Sequence, residues 1–349
     1  MNALSRLAGL GTSIWVDGLV PPAELERLVR EDSVTGLTSN PMIFRAAMLG
    51  EERYAERIAA LGDQPPAMVY EALAIEDVQA AADVLAPNGY VSLEVAPALA
   101  HDADATVAAA RELWARVDRP SAMIKIPATP AGADAIRRVT ADGINVNVTL
   151  LFGLDAHAAV MAAYVAGLEE RLRRGLPVDH VASVASFFVS RVDTAVDRLL
   201  AERGRHDLAG RAAVANAQLA YAHAREMFGG DRFATLRDAG ARPQRLLWAS
   251  TGTKDPRYSD VKYVEELAGP GVVNTMPPAT LAAFRDHGRV ADVLTGSAPA
   301  ARSVLDELVA LGVDLDAVTS RLLAEGVGAF ATSMDELLAG LAPVPDFQT

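Results

Sequence analysis

The chain has 349 residues, enough for one large domain with a well-buried core, and sets 32 Lys and Arg against 45 Asp and Glu for a net charge of −13. That balance supplies no general basic surface for a nucleic-acid backbone, and the absence of cysteine removes disulfides, thiolate zinc sites and a cysteine nucleophile. No segment approaches the length of a membrane span, and Arg6 followed by mixed residues through Asp17 lacks the apolar core and cleavage site of an export signal, so a cytoplasmic protein working apart from membranes is expected.

Short β-type runs alternate with longer helical stretches from the start. Ile14 to Asp17 is the first apolar run, followed by Pro21-Pro22 and the helical spacing of Leu25, Leu28 and Val29. Val34 to Asn40 is the second, broken by Pro41. Helical material from about Met42 to Leu85, interrupted near Gly62 to Pro66, leads to a third run, Tyr90 to Val95. A helix opening near Asp104 places Val107, Ala110, Leu113 and Trp114 on one face and leads to Met123-Ile124-Lys125-Ile126-Pro127, the fourth strand. Pro130-Ala131-Gly132 opens the next helix, which Asp142-Gly143 ends. Ile144 to Phe152 is a fifth strand, a helix spans 154 to 173, and His180 to Val189 is the sixth strand. A helical tract from Val192 to about Gly240 precedes strands at Arg245 to Thr251 and Gly271 to Thr275, which a helix around Tyr258 to Leu267 separates.

About eight β-α units with buried, unalternating strands imply a parallel sheet covered on both faces and closed on itself, an α/β fold of the (β/α)8 TIM-barrel class. One domain over 1–349 is expected, with residues from about 278 to 349 mostly helical and packed on the barrel. The alternative is a doubly wound open sheet, which would want a glycine-rich phosphate turn, and no G-x-G-x-x-G or Walker sequence is present.

In such a barrel, chemistry sits where strands end and loops leave. Reading off those ends gives Asp17; Thr38, Ser39 and Asn40; Glu94; Lys125; Asn145, Asn147 and Thr149; Ser186 and Arg191; Ser250 through Lys254; and Asn274 and Thr275. By the two-residue period Asn145, Asn147 and Thr149 share one face, which suggests a lined pocket. Lys125 is out of place in an apolar run, since lysine is almost never fully buried unless paired and burial without a fixed partner favours the uncharged amine. An uncharged lysine adds to a ketone, and the iminium then serves as an electron sink while a carboxylate, Asp17 or Glu94, moves protons. Each residue alone also has a plain structural reading: a strand lysine reaching solvent, a turn at Asp17-Gly18, an ion-pair partner at Glu94. Arg245 and Lys262 read as surface residues. None of the six histidines falls in a spacing with metal-ligand force, and no nicotinamide, flavin or nucleotide motif appears, so no metal and no cofactor are expected.

The residues resemble the transaldolase family in its longer bacterial form. The resemblance rests on Val16-Asp17, Gly36 to Phe44 with its T-S-N-P element, Ser92 to Val95, Ile124 to Thr129, Gly143 to Phe152 with N-V-T-L-L-F, Ala185 to Arg191, and Trp248 to Lys254. It implies transfer of a dihydroxyacetone unit from fructose 6-phosphate or sedoheptulose 7-phosphate to erythrose 4-phosphate or glyceraldehyde 3-phosphate, in the pentose phosphate pathway. Lys125 would form the Schiff base, Asp17 would move the proton of the C4 hydroxyl, and Glu94 with Thr149 would hold the water of carbinolamine chemistry. Asn40, Asn147 and Ser186 would bind the three-carbon unit, Phe188 would wall the pocket, and Thr38 and Ser250 join the substrate-binding set. Arg191 matches the phosphate-binding arginine. Many relatives carry a second arginine where this chain has Gly252, and Lys254 with the Gly252 backbone is expected in its place. Two rival functions stay open: an aldolase releasing free dihydroxyacetone, and a sugar-phosphate-binding barrel without turnover. Phosphorylated sugars are the partners expected, with no nucleic acid and no membrane, for a monomer or a homodimer.

Overall fold

In the computed structural model, which describes residues 2–342, eight strands form one closed parallel barrel in sequence order. They are β1 (Ser13–Asp17), β2 (Val34–Thr38), β3 (Tyr90–Glu94), β4 (Ala122–Pro127), β5 (Val146–Leu151), β6 (Ser183–Phe188), β7 (Arg245–Ala249) and β8 (Val273–Met276). Pairing of Val16 with Met276 closes the ring. The helices are α1 (Ala3–Leu10), α2 (Pro22–Asp32), α3 (Pro41–Gly50), α4 (Ala55–Leu61), α5 (Pro66–Leu85), α6 (Ala103–Val117), α7 (Pro130–Asp142) and α8 (Leu154–Arg173). They continue as α9 (Ser190–Glu202), α10 (Ala212–Gly229), α11 (Asp231–Asp238), α12 (Lys262–Glu265), α13 (Pro278–His287), α14 (Ala298–Ala310) and α15 (Leu315–Gly340). Among the described residues no helix is long and apolar enough to cross a membrane.

Local chemistry sets the turns that carry the site. Thr129 caps α7 by accepting from the Gly132 N–H, with Pro130 in the first turn, where a missing N–H costs nothing. Gly132 is required there, because a Cβ would lie 1.9 Å from the Pro127 carbonyl oxygen at the end of the strand bearing Lys125. Asn40 caps α3 in the same way, accepting from the Ile43 N–H at 3.1 Å.

Several sequence expectations need correction. The tract 192–240 divides into three helices, and the helix foreseen around 258–267 shrinks to the four residues of α12. The segment before α12 is held instead by a turn in which Asp255 accepts from the Arg257 N–H. The C-terminal region is helical on both sides of a break at 288–297, where Asp292 accepts from the Leu294 and Thr295 amides and Gly296 turns at φ +79. Its last residues, 343–349, lie outside the described ones. Asn145 precedes β5 and does not join Thr149 in the pocket wall. Its amide donates to Pro120 O and Ala122 O and accepts from the Ala182 N–H, stitching the starts of the fourth and sixth strands together. Alternation also fails at Leu150, whose φ is +58 beside an irregular register between β5 and β6. Arg245 is not free at the surface but half-buried and bonded to Ser13 Oγ at 2.9 Å. Lys262, only 12% exposed in its side chain, pairs with Glu266.

Candidate active site

The C-terminal ends of the strands surround a cavity of about 330 Å³. Of the twelve site residues expected from sequence, all but Glu94 and Asn147 line it. Those two stand behind the wall and hold residues that do.

Parallel register puts Glu94 on β3 directly beside Lys125 on β4. Lys125 Nζ donates to Ser39 O at 2.8 Å and stands 3.1 Å from Glu94 Oε2, with both side chains 5% exposed. The lysine therefore has two fixed partners, where its apolar run suggested none. Burial pushes the Glu94 carboxyl above the usual carboxylate range, and the Lys125 charge pulls it back in part. Asp17 is raised for the same reason, opposed by Lys125, by the Thr38 hydroxyl and by the more distant Lys254 and Arg191. Thr38 Oγ1 donates to Asp17 Oδ1 at 2.8 Å and lies 2.7 Å from Thr275 Oγ1, so the carboxylate is oriented from β2 and β8 at once.

A second chain of hydrogen bonds crosses the barrel. Ser186 Oγ donates to Asn147 Oδ1 at 2.7 Å, and Asn147 Nδ2 donates to Ser92 Oγ at 2.9 Å. Asn147 thus spends its amide oxygen on Ser186 and its amide nitrogen on Ser92. Thr149 lines the cavity, and its Oγ1 is buried with no hydrogen-bond partner in the described structure. Asn40 uses its Oδ1 on the helix cap, which leaves the amide nitrogen for the cavity.

The far end is basic. Arg191 stacks 5.6 Å from the Phe188 ring centroid, and burial lowers its pKa. Lys254, Gly252 and Ser250 come from the segment after β7. Ser250 sits at φ +56, a left-handed conformation costly for a residue with a Cβ. That turn brings Ser250 Oγ to 2.9 Å from Ser190 Oγ and ties the segment after β7 to the start of α9.

Sequence reasoning missed Phe330. It lies on α15, is 1% exposed, and places its ring centroid 5.6 Å from Lys125 Nζ. No motif marks it, because an apolar residue at helical spacing reads as core. Gly326, one turn earlier, faces Leu150, and a Cβ there would come within 2.9 Å of that side chain, so α15 crosses close over the end of β5. Met42, Ile43 and Ala46 of α3 add further apolar wall, with Ala249 and Pro277.

Residues 14–341 match the family model described as Transaldolase/Fructose-6-phosphate aldolase. Among curated proteins, the transaldolase of Saccharopolyspora erythraea is 48% identical over 350 residues, covering 96% of this chain and 95% of that protein. Transaldolase 1 of Streptomyces coelicolor is 48% identical with coverage of 97% and 94%, and the transaldolase of Thiobacillus denitrificans 47% identical with coverage of 97% and 99%.

Proposed function

Since this chain belongs to the transaldolase/fructose-6-phosphate aldolase family and is an enzyme of transaldolase activity, we propose that Lys125 is its Schiff-base nucleophile and that Asp17 moves the proton when the carbon–carbon bond breaks. The observation that carries this reading is the placement of the Lys125 amine, held against Glu94, in a cavity that Asp17 also lines.

A carboxyl lifted by burial accepts a proton readily, so Glu94 takes the ammonium proton of Lys125 and frees the amine. The amine adds to C2 of a ketose phosphate, and Glu94 returns the proton as the carbinolamine loses water, beside the hydroxyl of Thr149. Asp17 then accepts the proton of the C4 hydroxyl, the C3–C4 bond breaks, and its electron pair passes into the iminium to give an enamine. An aldose phosphate departs. A second aldose phosphate enters, the enamine attacks its aldehyde carbon, and Asp17 donates the proton to the new hydroxyl. Hydrolysis releases the product ketose. Fructose 6-phosphate and sedoheptulose 7-phosphate are the donors in this reading, with glyceraldehyde 3-phosphate and erythrose 4-phosphate as acceptors.

Arg191 and Lys254 receive the phosphate, since both cations line one end of the cavity and Arg191 offers a planar fork. Ser186, Asn40 and Thr38 receive the hydroxyls of the three-carbon unit. Phe188 and Phe330 keep water from the waiting enamine, which favours transfer over release of free dihydroxyacetone. Phosphorylated sugars are charged and do not cross membranes, which suits an enzyme working in the cytoplasm where they are made.

The test is a coupled assay of fructose 6-phosphate with erythrose 4-phosphate, comparing wild type with Lys125→Met. Formation of sedoheptulose 7-phosphate and glyceraldehyde 3-phosphate by wild type alone supports the assignment. Equal rates for the two proteins would reject it.

A further inference from the structure

At the end of the barrel opposite the catalytic pocket, where β7 and β8 begin, a second cavity of about 400 Å³ opens beside the ends of α10 and α11. Arg225, Arg237 and Arg245 line it together with Tyr221, Phe228 and Gln244, and no Asp or Glu does. Three cations gathered in one hollow are unexpected in a chain of net charge −13.

Arg245 is the deepest of them. Burial draws its guanidinium out of water and lowers its pKa, and no carboxylate acts back on it. One of its five N–H donors is spent on Ser13 Oγ at 2.9 Å. Arg225 and Arg237 are exposed at the rim; Arg237 spends one donor on Phe228 O at 2.6 Å, and Arg225 forms no hydrogen bond or ion pair among the described residues. A charge taken out of water, as that of Arg245 is, is ordinarily paired, because an unpaired one loses hydration with nothing in exchange.

A second polar group points to what fills the hollow. Gln244 is 3% exposed, its Nε2 donates to Ser183 Oγ at 2.9 Å, and its Oε1 is buried without a partner. An inorganic anion alone would leave that acceptor unmet. A ligand carrying both an anionic group and a hydroxyl or amine would satisfy the arginines and the glutamine together.

We propose that this cavity binds a small organic phosphate, with its phosphoryl group on Arg225, Arg237 and Arg245 and a ligand hydroxyl donating to Gln244 Oε1. Its volume is close to that of the catalytic pocket, which places the ligand in the size range of a three- to six-carbon phosphorylated sugar or polyol. The assignment is independent of the catalytic reading, since it uses no residue of the catalytic face.

Calorimetric titration with glycerol 3-phosphate and with inorganic phosphate at low salt tests it. The proteins compared are wild type, Arg225→Gln/Arg237→Gln, Gln244→Leu, and Arg191→Gln/Lys254→Gln, with Arg245 left in place to keep the barrel intact. Glycerol 3-phosphate binding that persists in the catalytic-face pair and weakens at least tenfold in Arg225→Gln/Arg237→Gln is the expected result. Basal turnover of that rim pair should equal that of wild type. Arg225→Gln alone, expected to weaken binding severalfold, serves if the double variant does not fold. Tighter binding of glycerol 3-phosphate than of inorganic phosphate, with the difference lost in Gln244→Leu, supports the hydroxyl contact, and equal affinities overturn it. Loss of all binding in the catalytic-face pair, or no change in any variant, would overturn the site.

Discussion

Lys125 Nζ stands 3.1 Å from Glu94 Oε2, and both side chains are closed off from solvent on neighbouring strands in exact register. A buried ion pair is poor as a source of stability, because desolvation of two charges consumes most of their attraction. As a place to exchange one proton it is well made, since removing either charge changes the environment of the other. Glu94→Gln keeps the shape and removes the proton acceptor. It is expected to lower kcat by about 10²–10⁴, the range typical of a lost acid–base group, and to remove from the pH–rate profile the titration of a carboxyl lifted by burial. Steady-state rates across pH check both.

Asp17 acts later than Lys125 in the proposed sequence, so its removal should separate the steps. Asp17→Asn preserves the oxygen that accepts from Thr38. Imine formation should survive while cleavage falls by about 10²–10⁴. Single-turnover trapping with borohydride would then recover the full-length ketose adduct in place of the three-carbon one.

Arg191→Ala and Lys254→Ala should each raise KM for phosphorylated sugars by roughly 10- to 100-fold, the worth of one lost charge-assisted bond of about 1.5–3 kcal/mol. Unphosphorylated glyceraldehyde as acceptor provides the control, and its KM should hardly move. An unchanged KM for erythrose 4-phosphate in both variants would move the phosphate elsewhere.

Phe330 covers Lys125 from α15, so its loss should admit water to the enamine. Phe330→Leu keeps most of the packing that Phe330→Ala would forfeit at about 3–5 kcal/mol. The expected outcome for Phe330→Leu is a several-fold rise in free dihydroxyacetone per transfer event, read by assaying both products in one reaction. A change in stability with an unchanged product ratio would make Phe330 a packing residue only.

Asp193 gives a prediction about stability. It is buried on α9, accepts from the Ala213 N–H at 2.7 Å and the Tyr263 hydroxyl at 2.9 Å, and burial pushes its carboxyl up to about 6 from 3.8. The folded state therefore holds the proton more tightly than the unfolded chain. Stability from this group is fully present below about pH 3.8 and is lost as pH rises to about 6, by about 2–3 kcal/mol. In Asp193→Asn, denaturant unfolding between pH 4 and 7 should show a pH slope correspondingly reduced relative to wild type.

Much of this site could be read from the chain because strand ends in a barrel are periodic and polar residues there lack a packing reason. Asp17, Thr38, Thr149 and Lys125 all fall where that logic puts them, and the helix at 154–173 ends where it was drawn. Asn145 misled, because a two-residue period says which face a residue shares but not where a strand begins. The break at 288–297 was invisible because apolar spacing on both sides is helical while the turn itself depends on one side chain, Asp292, bonding two amides. Phe330 was out of reach for another reason. Its contact with Lys125 joins residues 125 and 330, a long-range packing relationship with no local pattern.

The central claim is covalent chemistry at Lys125. Borohydride reduction of the enzyme with fructose 6-phosphate, with and without erythrose 4-phosphate, followed by peptide mass mapping, tests it most directly. The expected result is a three-carbon adduct on Lys125 that falls when the aldehyde is added. An adduct on another lysine, or none in protein that still turns the substrates over, would contradict the account.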